Sequence, residues 1–242
     1  MTGWLASVAD AAEIALILPA APDILDLKNP GAGALGAWDA VDIAAAVRDL
    51  ANLPGRPKLS ATVGDHPMRP DALVPAVRRV AATGVDFVKI GFPPEGAPEK
   101  CIDALAPLAA EGTALIAVLF ADLWPSDPCC LPIDRLAAAG FRGAMLDTAG
   151  KRHGLRHHWQ DAQLGAFISC TKAHRLLTGL AGSLRVADIP ALTALSPDYL
   201  GFRGALCDGE RTAGIDPQAV SRVAAAMARS TPPPRPSAPS RS

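Results

Sequence analysis

Short apolar runs of strand length alternate along this chain with longer segments in which apolar residues recur at helical spacing. A strand turns successive side chains to opposite faces, whereas a helix brings residues three and four apart onto one face. The first run is Trp4 to Val8, and Asp10 stands ready to cap a helix over 11–18 that Pro19 and Pro22 close. The second run, Ile24 to Lys28, leads through a loop to a helix over 39–53, where Ile43, Val47 and Leu50 share a face and Pro54-Gly55 ends the element. Further strands are predicted at 58–63, 86–91, 114–120, 142–148, 176–181 and 199–203. Helices are predicted at 71–83, 97–110, 133–139, 159–174, 186–195 and 216–229, with Gly84, Gly112 and Gly140 as stop signals.

Eight strand-like runs, each followed by a helix-like run at roughly 20–35 residues per unit, predict an α/β fold of the (β/α)8 TIM-barrel type, a single domain over 1–229. A doubly wound open sheet also alternates strand and helix, but it carries its glycine fingerprint after the first strand, where this chain has none. The glycine-rich loop 29–36 follows the second strand and does not fit that pattern. From 230 to 242 the composition collapses to Pro, Ser, Arg and Thr, as expected of a disordered tail.

Composition supports a large aliphatic core: of 242 residues, 50% are hydrophobic, 19% charged and only 5% aromatic. The net charge of −1 gives no electrostatic reason to expect nucleic acid or an anionic membrane as partner. Residues 1–10 lack the basic start of a signal peptide, and apolar runs such as 114–121 are far short of a membrane span, so a cytoplasmic location is expected. The five cysteines (Cys101, Cys129, Cys130, Cys170, Cys207) form no C-x-x-C pair and fit a reducing compartment, with Cys129-Cys130 read as ordinary loop residues. An aliphatic helical shell permits association into a homo-oligomer.

Chemistry gathers at the carboxyl ends of the strands, the face on which such barrels place their sites. In the second strand Asp26, Lys28 and Ile24 share one face, while Leu25 and Leu27 point to the other. An acid and an amine on one face of a buried strand cost stability, which suggests a site; a structural ion pair plugging the barrel mouth is the competing reading. Lys89, Asp147 and Arg203 end the fourth, sixth and eighth strands. Alternate strands feed the same layer, so Lys28, Lys89 and Asp147 are predicted to form one ring at the mouth. Two partly desolvated, mutually repelling lysines keep some free amine at neutral pH, and a free amine can attack a carbonyl to form a Schiff base. Asp26 or Asp147 would then hold the second lysine or move protons. The loops after strands seven and eight begin Gly182-Ser183 and Arg203-Gly204, where small residues open backbone amides to a phosphate and an arginine adds charge. His153, His157 and His158 follow the sixth strand; Gly154 argues against the helix that a metal-binding i, i+4 pair needs, so a solvated loop and no metal are expected.

Read in order, Asp-Leu-Lys-Asn-Pro (26–30) with Gly33 and Leu35-Gly36, Ser60-Ala-Thr-Val-Gly-Asp65, Phe87-Val-Lys-Ile-Gly91, Met145-Leu-Asp-Thr-Ala149 with Lys151, Leu180-Ala-Gly-Ser183, and Gly201-Phe-Arg-Gly-Ala205 with Cys207 carry a resemblance. Together they resemble the (5-formylfuran-3-yl)methyl phosphate synthase family, over Trp4 to about Met227. The resemblance implies a TIM-barrel carbon–oxygen lyase. Such an enzyme condenses two molecules of glyceraldehyde 3-phosphate to a furan aldehyde phosphate, with loss of phosphate and water, toward a methanofuran-type C1 carrier. It also implies Lys28 as the Schiff-base lysine and Lys89 as proton acceptor, with Asp26, Asp147 and Lys151 completing the catalytic set, and no metal or organic cofactor. The loop 122–132, the His- and Arg-rich segment 152–158 and the tail depart from the family's pattern. Two other readings stand beside it: a different Schiff-base aldolase or dehydratase acting on a phosphorylated carbonyl, and a non-catalytic barrel that binds a phosphorylated metabolite.

Overall fold

The computed structural model describes residues 1–150 and 152–230. Lys151 and residues 231–242 lie outside the described residues; Ser230, expected to begin the tail, ends the last helix. Eight parallel strands close into a barrel in sequence order: β1 (Gly3–Val8), β2 (Ile24–Leu27), β3 (Lys58–Thr62), β4 (Phe87–Phe92), β5 (Leu115–Phe120), β6 (Gly143–Asp147), β7 (Leu177–Leu180) and β8 (Tyr199–Phe202). β8 pairs back onto β1, with Leu5 opposite Gly201. Around them run α1 (Ala11–Ile17), α2 (Ala40–Leu50), α3 (Pro70–Ala81), α4 (Pro98–Ala110), α5 (Ile133–Ala138), α6 (Leu155–His158), α7 (Asp161–Ala173), α8 (Ile189–Ala194) and α9 (Pro217–Ser230). None of these helices is long and apolar enough to cross a membrane.

The alternation within each strand divides the apolar residues into two layers. Trp4, Ala6, Val8, Leu25, Leu27, Leu59 and Ala61 face outward and pack under the helices. Leu5, Ile24, Ile116, Val118, Met145 and Tyr199 face inward and fill the barrel. Tyr199 forms much of the floor; a Cβ at Gly179 would lie 2.4 Å from its ring, so only glycine leaves room for it. Burial pushes the Tyr199 phenol far above its ordinary pKa, helped by the negative charges of Asp26 and Asp198. This packed floor keeps polar chemistry at the other end, where the inner positions change to Ser7, Asp26, Lys28, Lys89 and Asp147.

Most elements start and stop where local signals place them. Asp10 caps α1 by accepting a 3.0 Å hydrogen bond from the Glu13 amide. Asp216 caps α9 through the amides of Gln218 and Ala219. Two predicted helices begin differently from expectation. The segment expected over 159–174 begins instead at Asp161, because Trp159 is drawn fully inward and donates its indole N–H to the Ala121 carbonyl. Gln160 and Gln163 then restart the helix with a reciprocal cap. The segment expected over 186–195 opens as a 3-10 turn over Val186–Asp188, and Pro190 supplies a first turn that needs no amide.

Candidate active site

The site is built from the inward positions at the carboxyl ends of β1, β2, β3, β4 and β6. Asp26 is completely buried and sits at the centre. Its carboxylate accepts from Ser7 Oγ at 2.9 Å, from Ser60 Oγ at 2.6 Å and from Lys89 Nζ at 2.9 Å. Burial would raise its pKa, but the charges of Lys89 and Lys28, with the hydrogen bonds from Ser60 and Lys89, outweigh it and hold the carboxyl below its ordinary range. Asp26 is therefore an ionised anchor for Lys89. Of the two roles open to it from sequence, the geometry favours positioning over proton transfer.

A second pair lies beside the first. Lys28 Nζ is 3.6 Å from Asp147 Oδ2, while Asp147 Oδ1 accepts the Thr148 amide at 2.7 Å. Lys28, Lys89 and Asp147 line one cavity of about 670 Å3 at the barrel mouth. The ring expected from alternate strands is thus present as geometry. The two lysines do not simply confront each other, however; each faces its own carboxylate. Sequence reading missed Ser7 and Ser60, although small polar residues at inner strand positions were the available sign.

The depressed pKa of Asp26 makes a pH prediction. A carboxyl whose folded pKa lies below its unfolded value of about 3.9 stabilises fully above that value and loses its contribution as pH falls through the folded pKa. The stability gap between wild type and Asp26→Asn, measured by urea unfolding, is expected to be constant above about pH 5 and to narrow at lower pH. A gap that stayed constant down to strongly acidic pH would refute the anchoring role.

Neighbouring loops are held by carboxylates. Asp65 accepts the Ala34 amide at 2.9 Å and the Leu35 amide at 3.3 Å, pinning the glycine-rich loop after β2. Gly33 has φ +105° there, and a Cβ would lie 2.1 Å from Asp65 Oδ2, so this glycine serves the turn. Asp122 receives the amides of Ala149 and Gly150, fixing the backbone just before Lys151. His153 and His157 stack with ring centroids 4.0 Å apart. His153 precedes the short α6 and so does not share a helix with His157; among the described residues no group of side chains is arranged to hold a metal.

The residues predicted to bind phosphate divide. Gly182 (φ +105°) and Ser183 (φ 49°) form a left-handed turn after β7, and both line the cavity with Gly204 and Ala205. Among the described residues the amides of Gly182, Ser183, Gly204 and Ala205 donate to no acceptor, so four N–H groups remain available for an anion. Arg203 corrects the expectation. Its guanidinium pairs with Glu13 at 2.5 and 3.1 Å and donates to the carbonyls of Ser7, Arg211 and Ala213. Those contacts occupy its donor groups and neutralise its charge, so it braces the loop after β8 instead of meeting a ligand. Glu13 was not singled out in the sequence because it lies on α1, outside the strands that carry the site.

Comparison with known proteins gives the family and the fold. The profile of the family described as 4-HFC-P synthase matches residues 4–224. A relative in Methylorubrum extorquens, provisionally named (5-formylfuran-3-yl)methyl phosphate synthase, is 42% identical over 228 residues, covering 92% of this chain and 90% of its own. The Methanopyrus kandleri (5-formylfuran-3-yl)methyl phosphate synthase is 34% identical over 223 residues, covering 85% of this chain and 90% of its own. Among solved structures, 3-hexulose-6-phosphate synthase from Salmonella typhimurium superposes with a TM-score of 0.66 at 12% identity, covering 95% of this chain and 100% of that one. That likeness shows the barrel alone.

Proposed function

The chain belongs to the 4-HFC-P synthase family and is an enzyme, and from that premise we propose that it condenses two molecules of glyceraldehyde 3-phosphate to (5-formylfuran-3-yl)methyl phosphate. Phosphate and water leave, which makes it a carbon–oxygen lyase, and the product would serve a methanofuran-type C1 carrier. The observation that carries this reading is the pair of buried lysines in one cavity, Lys28 facing Asp147 at 3.6 Å and Lys89 facing Asp26 at 2.9 Å.

Lys28 attacks the aldehyde carbon of the first triose and forms an imine, expelling water. Asp147 is the nearby carboxylate that can take the proton Lys28 must shed. The iminium withdraws electrons from the adjacent carbon, and Lys89 removes its proton. Asp26, held ionised, fixes the Lys89 amine in the cavity through their 2.9 Å contact. The resulting carbon nucleophile adds to the second aldehyde, and the same acidified position permits elimination of phosphate. Ring closure and dehydration follow with proton transfers among these groups. Lys151 is assigned to this set by the family resemblance. The free amides of Gly182, Ser183, Gly204 and Ala205 receive one substrate phosphate. The cavity volume lies within the roughly 300–1,000 Å3 usual for small-molecule sites and admits two trioses.

Incubation of the purified protein with glyceraldehyde 3-phosphate and no added cofactor tests this directly. Phosphate release together with a product of the furan aldehyde phosphate mass is the expected result. A product formed from a different carbonyl partner, with no furan from the triose alone, would overturn the substrate assignment.

A further inference from the structure

A short strap runs along the rim of the barrel mouth. After β8 the chain runs through Asp208 to Gly214, and Ile215 returns to pair with Cys207 in an antiparallel bridge. Arg203 holds this strap by donating to the carbonyls of Arg211 and Ala213 at 2.8 and 2.9 Å, and its ion pair with Glu13 ties it to α1. The strap carries Arg211 past β1 to the β2 side of the rim. The Arg211 guanidinium reaches the Gly33 carbonyl at 3.4 and 3.5 Å, in the loop that leaves Lys28. That loop is itself fixed by Asp65, so the contact has a firm partner.

Two features set Arg211 apart from Arg203 and Arg222; Arg185, the remaining arginine of the lining, follows Gly182-Ser183 on the side of the amide cradle. Arg203 is neutralised by Glu13, and Arg222 lies 3.6 Å from Asp216. Arg211 has no carboxylate within ion-pair distance among the described residues, and the neighbouring Glu210, which also lines the cavity, does not pair with it. Its two bonds to Gly33 are longer than a good N–H···O bond, so they hold the guanidinium weakly. A planar guanidinium held this way turns readily to an acceptor that can take two parallel bonds, and phosphate is such an acceptor.

We propose that Arg211 is the cation of a second phosphate subsite, on the β2 side of the cavity, separate from the amide cradle of Gly182, Ser183, Gly204 and Ala205. The inference rests on the triose-phosphate reading, since joining two phosphorylated molecules requires two anions in one cavity. Arg203 is then a positioning residue, its donor groups taken up by Glu13 and by the carbonyls of Ser7, Arg211 and Ala213. Its neutral pair with Glu13 fixes the strap without competing for phosphate.

Equilibrium dialysis with radiolabelled inorganic phosphate, on the full chain, separates this inference from the reading beneath it. Wild type is expected to bind two phosphates per chain. Arg211→Ala is expected to keep one and to weaken the other by roughly 10–100-fold, with Arg211→Lys between them. With glyceraldehyde 3-phosphate, the same substitution should raise KM far more than it lowers kcat. Phosphate isotherms that coincide in wild type and Arg211→Ala would overturn the subsite. Two sites in wild type, one lost with Arg211, and no turnover of the triose would uphold the subsite and overturn the substrate reading instead. Arg211 lies on an irregular strap at the rim, and unchanged thermal unfolding of the variant would show that the fold is not the cause.

Discussion

Replacing Lys28 by arginine is expected to lower furan formation from glyceraldehyde 3-phosphate by roughly 10^4-fold or more, the scale on which removal of a covalent nucleophile acts. Arginine keeps the positive charge that faces Asp147, so the ion pair has a substitute. It cannot form an imine, because its guanidinium does not give up a proton in a protein. Lys89→Ala is expected to behave differently. It removes a proton acceptor and should slow turnover by roughly 10^2–10^4-fold while still allowing the first adduct to form on Lys28. Initial rates of phosphate release, paired with intact-protein mass after borohydride, distinguish the two variants. Normal turnover by Lys28→Arg would remove Lys28 from the chemistry.

The second large effect is on stability. Asp26→Ala leaves Lys89 buried without its counter-charge and leaves Ser7 and Ser60 without their acceptor. Removing one partner of a buried ion pair costs about 3–5 kcal/mol. For a domain of this size that corresponds to a fall in Tm on the order of 10 °C. The double change Asp26→Ala/Lys89→Met is expected to recover much of that loss, since an apolar pair needs no compensation, and yet to remain inactive. Recovered stability without recovered activity would show that the pair is retained for chemistry and not for the fold. A single Asp26→Ala variant as stable as wild type would contradict the buried-anchor geometry.

Much of the fold is legible in the sequence. Apolar periods separated eight strands from the helices, and strand alternation placed Asp26 and Lys28 on the inner face with Ile24. The lengths of the elements were less legible where tertiary contacts decide them. Nothing in the local sequence at Trp159 says that its indole will bond the Ala121 carbonyl and delay α7 to Asp161. The site was legible for the residues that strand ends supply. It was not legible where a long-range partner decides a side chain's role. Arg203 reads as a ligand for phosphate until Glu13, 190 positions away, is seen to bind it. Arg211 lies on irregular backbone between two bridge residues, with no periodic signal to draw attention to it. Ser7 and Ser60 fall in apolar strands where a hydroxyl is unremarkable until the buried carboxylate between them is known.

Wild-type protein incubated with glyceraldehyde 3-phosphate and borohydride, then digested and mapped by mass spectrometry, tests the imine assignment most directly. A reduced triose adduct on the peptide containing Lys28, absent without substrate, is the predicted result. Adduct confined to Lys89, or phosphate release with no trapped lysine at all, would contradict it.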